Sequence, residues 1–154
     1  MNIGFYILDI DMSPEHTKVL KAINELCVKR PQDHIVVFNN QFTAIDPEQK
    51  YYVLHINQAK FFRGLLFVFS TKAALLTSTF PCSSKQILYM NKPEWAEHPE
   101  LPYTVWSNIY MHTDIELLTD DQTTHDLCKI CWKTPLPLIN VFDGEALNNV
   151  IQRI

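Results

Sequence analysis

The chain has 154 residues, 47% of them hydrophobic and 19% charged, which is enough for one domain with a sizeable core and excludes a disordered chain. A net charge of −4 gives no general attraction for nucleic acid or anionic membrane. No apolar run approaches the ~18 residues of a membrane helix, and no basic region precedes the first apolar stretch, so neither a membrane span nor a signal peptide is expected.

The first element is an apolar run from Ile3 to Leu8 that ends in Asp9-Ile10-Asp11. An unbroken run of this kind reads as a strand buried on both faces, in the middle of a parallel sheet. Ser13 is a good N-cap and Pro14 suits the first helical position. Val19, Leu20, Ile23, Leu26 and Cys27 follow at helical spacing, so a helix is predicted to about Lys29, stopping before Pro31. Ile35 to Phe38 is a second buried strand, and Tyr51 to Ile56 a third, rich in β-formers. The fourth strand, Leu65 to Phe69, starts after only eight residues, Asn57 to Gly64. A crossover between parallel strands normally needs about 10–12 residues. At most a short helix, Gln58 to Arg63, fits there.

Ser70-Thr71 then caps a helix predicted over Lys72 to Thr79, and Lys85 to Met90 is a fifth strand. Asn91 to Pro102, with three prolines, reads as an irregular loop, and Tyr103 to Tyr110 as a short helix. Asp114 to Leu118 is a sixth strand. Thr119-Asp120-Asp121 supplies caps for a helix from Gln122 to Trp132. Leu138 to Phe142 is extended, and Asp143 caps a last helix, Gly144 to Ile154, with Leu147, Val150, Ile151 and Ile154 on one face.

Strands and helices alternate throughout. The expected fold is therefore a single Rossmann-like α/β domain over 1–154. It is a three-layer sandwich with a mostly parallel sheet of about six strands in the order 3-2-1-4-5-6. The core should include Ile7, Val36, Val37, Leu54, Phe67, Val68, Ile87, Leu88 and Leu117.

Ligands of such sheets sit beyond the carboxyl ends of the strands, where Asp9 and Asp11 fall. Two strand residues two apart point to the same side, so these carboxylates could share a cation. The plainer reading is that Asp9 ends the strand and Asp11 helps to cap the helix at Ser13. Ser70, Thr71, Asp120 and Asp121 have the same two readings, as ligands or as N-caps. If the first and fourth strands are neighbours, a metal-assisted anion site is expected there, lined by Asp9, Asp11, Ser70 and Thr71, with Asp120 at its far side.

A strand ending in Asp-x-Asp, a strand ending in Ser or Thr, a lysine and a strand ending in Asp-Asp resemble haloacid dehalogenase-type phosphatases. That resemblance implies Asp9 as nucleophile and Asp11 as acid–base. It implies Ser70 or Thr71 with Lys85 or Lys92 on phosphate, and magnesium at Asp120 or Asp121. The chain departs from that family after its first aspartates. Met12-Ser13-Pro14 leads straight into a helix, where the family has a Gly-containing turn and a flap.

The order of elements also resembles the N-terminal, Rossmann-like half of a GT-B glycosyltransferase. Lys85 to Met90 with Glu94-Trp95 is similar to that half's late strand and loop, and Ile115 to Trp132 with Pro135 to Ile139 to its ending. The family binds its nucleotide-sugar donor largely with the other half. The resemblance therefore implies a binding or assembly module without a complete donor site. A partial nucleotide-sugar transferase and a magnesium-dependent phosphatase are the alternatives. In its aromatics and asparagines the chain also resembles accessory proteins of tailed phages, which implies a location in the host cytoplasm.

Cys128-x-x-Cys131, with His125 and His112 nearby, is the remaining motif. Inside a helix the two cysteines share a face and should pack as small apolar groups. A zinc site needs four ligands and a redox pair prefers a helix N-terminus. All four cysteines (Cys27, Cys82, Cys128, Cys131) lack a secreted-domain spacing and read as reduced thiols of a cytoplasmic protein. There is no Gly-x-Gly-x-x-Gly after the first strand, no Walker loop and no Gly-x-Ser-x-Gly elbow. The aromatics mostly fall in predicted strands, where core packing explains them. The expectation is a non-catalytic module with a protein partner or self-association. It should need no cofactor and no metal, and bind neither nucleic acid nor membrane; a small anionic ligand is the remaining possibility.

Overall fold

The computed structural model describes residues 1–8, 13–40, 48–80, 85–97 and 101–154. Six strands form one sheet: β1 (Asn2–Tyr6), β2 (His34–Asn39), β3 (Tyr52–His55), β4 (Leu65–Val68), β5 (Lys85–Met90) and β6 (Ile115–Thr119). The order is β3-β2-β1-β4-β5-β6 and every pairing is parallel. The helices are α1 (Pro14–Lys29), α2 (Thr71–Thr77), α3 (Glu94–Glu97), α4 (Tyr103–Tyr110), α5 (Gln122–Cys131) and α6 (Gly144–Gln152), with a 3-10 helix at Ile56–Phe61. No helix among the described residues is long and apolar enough to cross a membrane.

The apolar runs become central strands because alternate residues feed two cores. Ile3, Phe5, Ile7, Phe67, Ile87 and Leu118 pack with α1 and α6, where Ile23, Leu26, Leu147 and Ile151 are buried. Tyr6, Phe38, Val68, Leu88 and Leu117 pack on the other face with Ala73, Ala74, Ile109 and Cys128 from α2, α4 and α5. The result is the expected three-layer, Rossmann-like α/β arrangement.

The short β3–β4 connection is compatible with parallel strands. The 3-10 helix rises about 2 Å per residue, and three further residues reach β4 in extended form. Both strands it joins have only four residues, so the chain has little depth to recross.

Two other expectations need correction. Leu54 is not in the core; it is 37% exposed, because β3 is an edge strand with a neighbour on one side only. The loop Asn91 to Pro102 contains α3, a single helical turn that begins right after Pro93.

The opposite edge is covered. The N–H groups of Leu136 and Ile139 donate to the carbonyls of Leu117 and Thr119, at 2.8 and 3.1 Å, so the chain after α5 lies along β6. It then enters α6, whose start is pressed onto α1. A Cβ on Gly144 would stand 2.4 Å from Cβ of Glu25, and the Gly144 N–H donates to Glu25 Oε2 at 3.1 Å.

Candidate functional site

The carboxyl ends of the strands gather Leu8, Asn40, Ser70, Asn91 and Asp120, each one or two residues past β1, β2, β4, β5 and β6. Asp9 and Asp11 lie outside the described residues. Lys85 does not belong here. It pairs in register with Leu65, the first residue of β4, and so stands at the amino edge, with Nζ 3.5 Å from Glu116. The lysine implied by the phosphatase resemblance is thus restricted to Lys92, exposed in the turn between β5 and α3.

At the start of α2, Ser70 is extended and its hydroxyl accepts the Ala73 N–H at 3.1 Å, an ordinary N-cap. Thr71 is 1% exposed. Its N–H donates to Glu94 Oε2 at 2.8 Å, and its hydroxyl shares a buried hydrogen bond of 3.0 Å with the Tyr110 hydroxyl. A free helix N-terminus attracts anions through its unpaired N–H groups. Here Glu94 already supplies the carboxylate. Burial raises the Tyr110 phenol well above its ordinary pKa, the Thr71 bond opposing and the charge of Glu94 adding, so it stays a neutral hydroxyl.

Asp120 and Asp121 divide between the two layers. Asp121 caps α5, its Oδ2 accepting the Thr124 N–H at 2.6 Å and the Thr124 hydroxyl at 2.8 Å. Those bonds hold its carboxyl below the usual range. Asp120 accepts the Tyr89 hydroxyl at 2.7 Å and lies 3.7 Å from Lys18 Nζ on α1. Tyr89 belongs to the core under α1 and α6, with its ring 4.3 Å from that of Phe142, whereas α5 covers the other face. Neighbouring in sequence, the two carboxylates serve opposite sides of the sheet. They also stand three strand spacings from β1, about 14 Å.

The cysteine motif splits too. Cys128 is fully buried but Cys131 is exposed, because i and i+3 stand about 60° apart around a helix and the boundary of the core falls between them. Burial, with a smaller contribution from Cys131, pushes the Cys128 thiol up to about 11. His112 turns away, its Nδ1 accepting the Asp114 N–H at 3.2 Å. No group of three or more His, Cys, Asp or Glu able to hold a metal occurs among the described residues. Iodoacetamide at neutral pH should therefore alkylate Cys131 and spare Cys128 in the folded protein, as read by peptide mass. Equal labelling of both would contradict this placement.

Sequence reasoning missed an aromatic cluster on the helices. Trp95, Trp132 and Tyr110 meet edge to face at 4.8–5.7 Å, and Trp106 stacks on Tyr110 at 6.1 Å. The Trp106–Tyr110 spacing of four residues was a visible sign of one helix face; Trp95 and Trp132 join it only through the fold. This cluster encloses the Thr71–Tyr110 bond. Thr71→Val keeps the shape and leaves the Tyr110 hydroxyl unpaired, so a loss of about 1–3 kcal/mol in urea-melt stability is expected. No loss would mean that the phenol finds another partner.

The cavities formed by described residues include two of several hundred Å³. One, about 360 Å³, lies between residues 136–141 and α6. The other, about 450 Å³, opens at the amino edge between Thr77, Gln86, His112 and Glu116. Neither is lined by Ser70, Thr71, Lys92, Asp120 or Asp121.

The class that these observations define is a Rossmann-like α/β protein with an all-parallel sheet. Comparison of the chain with protein-family models, curated proteins and solved structures gives no match.

Proposed function

We propose that this chain is a non-catalytic binding module that uses its Rossmann-like layers as a scaffold for a protein partner. The observation that carries the reading is the Glu94 carboxylate on the Thr71 N–H. It stands where the phosphate of a ligand would have to approach α2. The other candidate groups described at this edge support the same reading, since Ser70 and Asp121 cap helices and Asp120 holds Tyr89. The partner side of the proposal is supported by apolar side chains left in water at the β3 end of the sheet, Tyr52 at 67% and Phe61 at 71% exposed. An order of elements that resembles half of a GT-B glycosyltransferase is compatible with this reading, because such layers by themselves offer surfaces for association.

The test is a thermal-shift panel of inorganic phosphate, nucleoside mono-, di- and triphosphates and nucleotide sugars. A ligand that binds only the folded state raises the melting temperature by mass action. The expected result is a flat panel. A concentration-dependent rise with any nucleotide or nucleotide sugar would overturn the proposal in favour of a partial transferase.

A further inference from the structure

The two edges of the sheet are finished differently. At β6 the chain covers its own edge through the bonds of Leu136 and Ile139. At β3 nothing among the described residues does so: the main-chain groups of Tyr52, Val53 and Leu54 bond to no described element other than β2. Edge strands are normally guarded by a charge, a proline or a bulge. Tyr52-Val53-Leu54-His55 has no acid, lysine, arginine or proline, and it pairs with β2 in unbroken register. The side chains are equally open. Tyr51 and Val53 pack into the core under α1 and α6, so Tyr52 and Leu54 point to the other face. There the crossover to β4 is the six-residue 3-10 helix, which buries only Ile56 and Ala59. Tyr52 is left 67% exposed and Leu54 37%, while Phe61, in that same 3-10 helix, is 71% exposed.

We propose that a second copy of this chain pairs with this edge, β3 against β3 and antiparallel about a two-fold axis, so that two six-stranded sheets become one. The strip is complementary to itself. Opposed residues of an antiparallel pair share a face, so the axis must pass beside a residue and not between two. With Val53 on the axis, Tyr52 meets the partner's Leu54 and Leu54 meets the partner's Tyr52. That gives two aromatic–aliphatic cross-strand pairs on the bare face. Parallel pairing with β2 turns the main-chain groups of alternate residues outward. Those of Val53, or those of Tyr52 and Leu54, are symmetric about this axis in either case. The area fits a weak dimer. At their exposures Tyr52 and Phe61 each offer roughly 100–180 Å². With Leu54 and the strand edge, the two copies would bury about 800–1,200 Å², at the foot of the range for specific interfaces. Because the β6 edge is covered, a two-fold contact at β3 closes the assembly at two chains. This inference rests on the reading of the protein as a binding module, and it names the partner.

The experiment is sedimentation equilibrium of the whole chain from low micromolar to near-millimolar concentration, with amide hydrogen exchange read by mass at both ends of the series. The mass should rise from one chain toward two and go no further. The peptide containing residues 51–55 should exchange more slowly at high concentration. Tyr52→Lys, at an exposed position, should weaken association at least tenfold and leave the melting temperature of the dilute protein unchanged. Phe61→Ser is the second variant, read in the same way, and it carries the test if Tyr52→Lys loses its circular-dichroism spectrum. The inference is overturned by a monomer at every concentration, the result expected if this edge serves a different protein. It is equally overturned by growth beyond two chains, by a dimer without protection at 51–55, or by association as tight in the folded variants as in wild type. None of these failures touches the thermal-shift panel, so the wider reading is judged separately.

Discussion

Replacing Phe67 by alanine should cost about 3–5 kcal/mol, the largest effect expected of any single truncation in this chain. Phe67 is fully buried in β4, one of the two central strands. Its ring lies against that of Phe5 on β1, with centroids 5.0 Å apart and planes 11° from parallel; Phe5 in turn meets Phe69 at 6.4 Å. The cavity would open between two paired strands, α1 and α6. Backbone pairing on both sides prevents β4 from closing it, so the lost burial and the void both count. Urea unfolding should show a lower midpoint with an unchanged slope. A loss below about 1 kcal/mol would mean that Phe67 is not at the centre of the core.

Gly64→Ala should be nearly as damaging, at about 2–4 kcal/mol, although it only adds a methyl group. Gly64 has φ +158°, and a Cβ there would stand 2.3 Å from the Asn2 carbonyl oxygen and 2.9 Å from its carbon. Those atoms are backbone and cannot rotate away. Asn2 is also tied to this turn, its side-chain amide donating to the Arg63 carbonyl at 3.0 Å. The change therefore pushes the start of β1 from the start of β4, at the pairing of Ile3 with Leu65 on which the sheet centres. Arg63→Ala keeps the carbonyl and serves as the control, with little change expected. Equal melting midpoints for Gly64→Ala and Arg63→Ala would refute the close approach.

The central strands and the helix caps were legible because their causes are local. Ile3 to Leu8 announces a strand through its own apolar run, and Ser13 with Pro14, Asp121 and Asp143 each start a helix with their own side chains or ring. Leu54 was misjudged because β-forming residues mark a strand without showing whether it has one neighbour or two. Lys85 was misplaced for a related reason: a lysine beside a strand reads the same at either end, and only the register with Leu65 shows which edge it occupies.

The candidate site was legible in part. Residues such as Ser70 and Asp120 stand at the predicted strand ends, but a sequence does not reveal which hydrogen bonds they have already made. The decisive partners are remote. Glu94 reaches Thr71 across 23 positions, Tyr110 across 39, and Tyr89 reaches Asp120 across 31. Asp9 and Asp11 lie outside the described residues, so their roles rest on experiment.

Isothermal titration of magnesium, alone and with inorganic phosphate, into wild type and into the Asp9→Asn, Asp11→Asn double variant tests the central claim most directly. If the polar groups at the carboxyl edge serve the fold, neither protein gives saturable heat, and the variant keeps its secondary structure by circular dichroism. Saturable magnesium binding by the wild type that disappears in a folded double variant would contradict the account and support a phosphatase-like site.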